Sequence, residues 1–193
     1  MASGSLKLPL SGDAAADKLL EKDPLALLIG MVLDQQIPLE RAFRSPADLK
    51  ARLGRLDVHE LADADPDELG RTFAEPPALH RFPASMAKRV QELCRHLIAG
   101  YGGRADRVWK SAGDGATLLA NVKALPGFGD QKARIFVALL GKRLGVQPPG
   151  WQEAAGDFGR PGTFASVADI DGPEALKHVR AHKQQMKARA KAR

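Results

Sequence analysis

The segment Leu125-Pro126-Gly127-Phe128-Gly129 sets two glycines two positions apart, immediately before a helical pattern that opens at Asp130. Glycine lets the chain turn tightly and leaves backbone N–H groups bare. At the start of a helix those groups, with the positive end of the helix dipole, form a site for one phosphate oxygen. Lys123, Lys132 and Arg134 are close enough in sequence to add positive charge, and Gln131 shares the first helical turn. Such contacts position a polyanion without reading any sequence in it. The same five residues also suit an ordinary hairpin between two helices with glycine caps.

Two further groups of residues have side chains fit for chemistry. Asp34, Gln35 and Gln36 directly follow a run, residues 25–33, that is apolar on every face. They either face a cleft or simply end a buried helix. Trp151, Glu153 and Asp157 follow the turn Gln147-Pro148-Pro149-Gly150. The indole can stack on a planar ring or pack between two parts of the protein, and a lone tryptophan after such a turn more often packs. Each carboxylate also suits a helix cap or a surface charge. Cys94 lies on an apolar helical face, and a single cysteine excludes an internal disulfide and any all-cysteine zinc or iron–sulfur site. His59, His80, His96, His178 and His182 show no metal-ligand spacing with acids or the cysteine.

The elements that would position these residues are helical. Ala and Leu are abundant and β-branched residues thin, and no strand-period alternation runs for more than a few residues. Asp23-Pro24, Ser45-Pro46 and Asp65-Pro66 each read as a capping side chain followed by proline at the first helical position. On that basis Ser45 to Gly54 is a short helix closed by glycine. Met86, Val90, Leu93, Cys94 and Leu97 recur at helical spacing between Pro83 and Gly100. Further helices are expected over 114–124, over 130–144, and from Glu174 to a fraying end. The fold class is all-α.

Charge is uneven along the chain. The net +6 arises from the end of the sequence, where residues 177–193 hold seven Lys/Arg and no acid. The remainder is close to neutral, with Asp57, Glu60, Asp63, Asp65, Asp67 and Glu68 crowded into one stretch. A basic face opposite an acidic one fits a polyanionic partner, although a solvated helical tail has the same composition. No apolar run approaches the length of a membrane span. The opening MASGSLKLPLSGDAAAD lacks the basic and apolar regions of a secretory signal, so the expected location is the cytoplasm, on the nucleoid if the source is bacterial.

Three segments, in order, carry a family resemblance. LPGFGDQKARIFVALLGKRLG resembles the hairpin and second helix of the helix–hairpin–helix (HhH-GPD) base-excision DNA glycosylase superfamily, which includes endonuclease III, MutY and AlkA. PLALLIGMVLDQQIPLERAF is similar to its early buried helix ending in a glutamine loop, and FPASMAKRVQELCRHLIAGYGG to the amphipathic helix between them. The resemblance implies two helical lobes. One is a six-helix barrel over 24–145, with the helix–hairpin–helix at about 114–144. The other is built from 1–23 and 146–193 and carries the basic tail. Double-stranded DNA, damaged or distorted, would bind between the lobes of a monomer. Gln36 falls where the family fills the gap left by an extruded nucleotide, and Lys123, Gly127, Phe128, Gly129, Gln131, Lys132 and Arg134 fall at the DNA-facing hairpin.

The chain departs from the family at two positions. The family's catalytic lysine position is Gln131, which cannot form a Schiff base. Lys132, one step along, is expected to point roughly 100° away from the cleft. The family's catalytic aspartate position falls within 149–151, where no residue is acidic, leaving Glu153 and Asp157 as the nearest carboxylates and Asp34, Gln35 and Trp151 as pocket candidates. No iron–sulfur cluster is expected, and the family allows a monovalent cation at the hairpin. The reading is a DNA N-glycosylase without lyase activity. The alternatives are a DNA-structure or lesion binder that has lost the chemistry, and a helical protein-interaction module.

Overall fold

The computed structural model describes residues 7–192. The segment read for a secretory leader lies partly outside them, as does Arg193 of the basic tail. Aspartate caps start five helices: α1 (Ala14–Lys22), α2 (Pro24–Leu33), α4 (Val58–Asp63), α5 (Pro66–Ala74) and α8 (Gly115–Lys123). In each the carboxylate of Asp13, Asp23, Asp57, Asp65 or Asp114 accepts a first-turn amide, an interaction contributing about 1 kcal/mol. The others are α3 (Leu39–Leu53), α6 (Pro83–Tyr101), α7 (Arg107–Lys110), α9 (Asp130–Arg143), α10 (Trp151–Ala155) and α11 (Pro173–Lys191). Two 3-10 turns, Gly156–Gly159 and Val167–Asp169, complete a chain without strands among the described residues. The protein is all-α.

One hydrophobic cluster runs from Leu8 to Val179. The helix α2 is its axis, buried from Leu25 to Leu33 and packed on α1, α3 and α6. Gly30 permits the closest of these approaches, since a Cβ there would lie 2.8 Å from the Phe43 ring. The amphipathic reading of α6 holds: Met86, Val90, Leu93, Cys94 and Leu97 all face this core.

Ser45-Pro46 does not begin a helix. The helix α3 starts at Leu39 and passes through Pro46, closing at Gly54 with φ 84°. The Ser45 hydroxyl lies 2.8 Å from the carbonyls of both Arg41 and Leu79, so it serves the interior of the bundle and caps nothing. Phe43 and Leu49, fully buried on either side, hold the helix together across the proline. Burying two such side chains is worth about 3–6 kcal/mol, which meets or exceeds the roughly 3 kcal/mol cost of an interior proline.

The turn at residues 147–150 seats α10 on the hairpin helices. The Gly115 amide donates to the Pro149 carbonyl at 2.8 Å. Trp151 lies flat against α9 at Gly141, where a Cβ would overlap the six-membered ring. Ala in place of Gly141 would gain about 1 kcal/mol of helix propensity. The rigid indole cannot absorb the overlap, whose cost of about 1–3 kcal/mol outweighs that gain, so we expect Gly141→Ala to lose up to about 2 kcal/mol net by urea denaturation. A variant as stable as the parent would mean that the indole swings clear.

Between α10 and α11 the chain is held by one buried ion pair. The Lys142 ammonium donates to Asp169 and to the Arg160 carbonyl, both at 2.6 Å. The other Asp169 oxygen accepts the Ala165 and Ser166 amides at 2.9 and 3.2 Å. From that anchor α11 packs through Ala175 and Val179 and then continues to Lys191.

Candidate functional site

The hairpin closes on its own backbone. Leu125 N–H donates to the Val122 carbonyl and Phe128 N–H to that of Leu125, each at 3.1 Å. Gly127 sits at φ 89°, a conformation that favours glycine. Gly129 is different: its φ is −72° and a Cβ there would meet nothing within 4 Å. Neither backbone nor packing requires glycine at 129, and its bare peptide faces open space at the uncapped start of α9.

The other hairpin side chains are engaged within the protein. Phe128 is buried and packs on Phe136 at 5.7 Å, so it belongs to the core and does not face a ligand. Lys123 and Arg134 both pair with Asp130, at 2.8 and 2.9 Å, and Arg134 also donates to the Ala154 carbonyl at 2.8 Å. The two cations in turn hold the Asp130 carboxyl below its usual range.

The cleft lies between the α2–α3 loop, the first turn of α9 and one face of α11, with a volume of about 1030 Å3. It gathers Asp34, Gln35 and Gln36 with Gln131 and Lys132, as well as Arg180, Lys183 and Lys187 from the tail. Lys132 therefore faces the cleft, contrary to the helical-wheel expectation. Its ammonium donates to the Met31 carbonyl at 2.7 Å and lies 3.4 Å from that of Val32. These are acceptors left without intrahelical donors at the negative end of α2, which draw the side chain across. Burial pushes the Lys132 ammonium down to about 8, an effect that the nearby Asp34 opposes.

Asp34 is the C-cap of α2 and half-buried. Burial raises its carboxyl above the ordinary range, while Lys183 and Lys132 pull it back down. Gln35 donates to the Val32 carbonyl at 2.9 Å, and its own carbonyl accepts His80 Nε2–H at 2.8 Å. His80 Nδ1 accepts Phe82 N–H at 3.0 Å, which assigns the neutral ring with its proton on Nε2. Burial lowers the His80 pKa, in keeping with that form. Gln36, between these restraints and the cleft, is exposed with φ 57°, the one non-glycine left-handed residue among those described. Such a conformation costs on the order of 1–3 kcal/mol and persists only where neighbours impose it.

Glu153, Asp157 and Trp151 are not brought to this cleft. The two carboxylates line a separate surface depression, and Asp157, 82% exposed, pairs with Arg160 at 3.0 Å. Trp151 is committed to its packing on Gly141. Cys94 is buried in the core, its thiol pushed up to about 12 by burial. Sequence reasoning missed the contribution of α11. The residues 176, 179, 180, 183, 184 and 187 form one helical stripe along the cleft, a periodicity that was readable although its partner was not.

A family model described as HhH-GPD superfamily base excision DNA repair protein matches residues 29–193. Comparison with curated proteins and with solved structures gave no significant match. The match takes in the glutamine loop, the hairpin, the cleft and the tail helix, and the chain belongs to the HhH-GPD superfamily of base excision DNA repair proteins.

Proposed function

We propose that this protein is a monofunctional DNA N-glycosylase that holds an everted nucleotide in the cleft with its sugar against Asp34. The observation that supports this best is the presence of a carboxylate with no ion-pair partner among the described residues in a cleft of about 1030 Å3, close to the strained Gln36. Breaking the bond between base and sugar builds positive charge on the sugar, which a fixed carboxylate stabilises. Lys183 and Lys132 oppose the effect of burial on Asp34 and so favour its ionised form. Gln36 fills the space vacated in the duplex, which is a reason for the protein to keep its backbone strained. The Lys132 ammonium, bound to two carbonyls, acts as a fixed cation and not as a nucleophile.

The test is single-turnover base release from duplexes that each carry one deaminated, oxidised or alkylated base, with and without alkali. Abasic sites revealed only by alkali are expected. Strand cleavage in the lanes without alkali would make Lys132 a Schiff-base former and overturn the monofunctional reading. Binding without release across the panel would favour a lesion binder, a reading that the vacant 149–151 positions also suit.

The hairpin supplies a second expectation. Asp130→Asn frees Lys123 and Arg134 for phosphates, so affinity for duplex should rise at low salt. The slope of log affinity against log salt should steepen by about 1–2, one increment for each phosphate gained. An unchanged slope would show that these two cations do not reach the backbone.

A further inference from the structure

The walls of the cleft bear on which bases it can accept. Five cationic side chains line it, namely Arg81, Lys132, Arg180, Lys183 and Lys187, against two carboxylates, Asp34 and Glu40. Arg180 pairs with Glu40, which leaves an excess of positive charge facing the space beside Asp34. Lys183 and Lys187 have no hydrogen-bond or ion-pair partner among the described residues and project from α11 toward the same space. Among the described residues no aromatic ring lines the cleft itself, and the exposed Phe82 ring beside it is covered by the Arg81 guanidinium 5.4 Å from its centroid. Trp109, Phe128 and Phe136 are core residues, and Trp151 packs on Gly141.

A damaged base can leave the sugar in two electrical forms. A ring-alkylated purine carries a fixed positive charge and departs neutral. Such a cation is favoured by aromatic faces and disfavoured by ammonium groups. A neutral base rich in carbonyl oxygen departs as an anion, its bonding pair spread onto those oxygens. Ammonium donors beside the oxygens stabilise that anion through charge-assisted hydrogen bonds.

We propose that the cleft is selective for neutral, carbonyl-rich bases that depart as anions, the products of deamination or oxidation, and that it rejects cationic alkylated purines; this rests on the glycosylase reading above. The bond that breaks is C1′–N, with its electron pair leaving on the base. Water adds to C1′, and the proton it loses passes through Asp34 or solvent to the departing anion, giving a neutral base and an abasic sugar. The cations of α11 and Lys132 act on the leaving base, while Asp34 acts on the sugar.

The experiment uses the full chain and duplexes with a 2′-fluoro sugar, which resist cleavage, so that binding is read apart from chemistry. The probes carry uracil, hypoxanthine, xanthine or 7-methylguanine, with an undamaged duplex as reference. At least one neutral base is expected to bind about tenfold or more tighter than both 7-methylguanine and the reference. Release from ordinary 2′-deoxy duplexes should follow the same order. Lys183→Gln combined with Lys187→Gln, checked for fold by circular dichroism, should shrink the discrimination between neutral and cationic bases. Equal or tighter binding of 7-methylguanine, no preference over undamaged duplex, or unchanged discrimination in the double variant would each overturn the proposal. Selective binding of a neutral base that is never released would leave the selectivity standing and remove the glycosylase reading instead.

Discussion

Asp34→Asn should reduce single-turnover base release by about 10²–10³, the loss expected when one preorganised group facing a developing charge is removed. Affinity for the same duplex should change little, because Asp34 bears on the transition state more than on the bound ground state. Glu153→Gln and Asp157→Asn, whose side chains lie outside the cleft, should release base at the parent rate. The release rate also carries a pH signature. The reaction needs Asp34 ionised, and burial raises its carboxyl. The rate should therefore fall on the acid side at a pH above the ordinary carboxylate range, and this limb should vanish in the Asn variant. Full activity in Asp34→Asn, with loss in Glu153→Gln, would return the chemistry to the residues nearest the family's usual position.

Asp169→Ala should be the most destabilising single change outside the apolar core. Both partners of the Lys142–Asp169 pair are nearly enclosed, with side chains 14% and 7% exposed. Removing the carboxylate strands a buried ammonium and leaves the Ala165 and Ser166 amides without their acceptor. Breaking a buried pair in this way costs about 3–5 kcal/mol. For a chain of this length that corresponds to a fall in Tm of roughly 6–20 °C. Asp169→Asn, which keeps an acceptor for the amides, should lose less. A loss below about 1 kcal/mol in the Ala variant would mean that water reaches the pair and solvates Lys142. Because this pair anchors the approach to α11, the Ala variant should also weaken binding of duplex when assayed well below its Tm.

Much of the architecture was legible because it is written locally. The aspartate caps at Asp23 and Asp65, the apolar stripe of α6 and the glycines of the hairpin act over a few residues, and each is where the sequence places it. Ser45-Pro46 failed because its capping pattern competes with the burial of Phe43 and Leu49, a force exerted by distant parts of the chain. Lys132 failed for a related reason. A helical wheel gives its direction relative to α9 alone, whereas the open carbonyls of α2 fix where its amine goes. Glu153 and Asp157 are the carboxylates nearest in sequence to 149–151, but beyond the turn at 147–150 the chain sets them in a depression of their own. Asp34 was legible as a candidate because it ends a wholly apolar helix. What could not be read was that Lys183, nearly 150 positions away, would stand over it.

The bond from Lys132 to the Met31 carbonyl joins the first turn of the hairpin helix to the last turn of α2, which ends just before Gln35 and Gln36. The part that would hold a phosphate and the part that would enter the duplex are thus tied together like the jaws of a caliper. If the span of its jaws is set inside the protein and not by the DNA, such a tool would inspect the nucleotide at one fixed offset from the phosphate it holds, and would reach the next only by letting go and stepping one position along. Footprints on duplexes with the lesion moved base by base should therefore shift by equal steps, with the protected phosphate always at the same distance from the lesion.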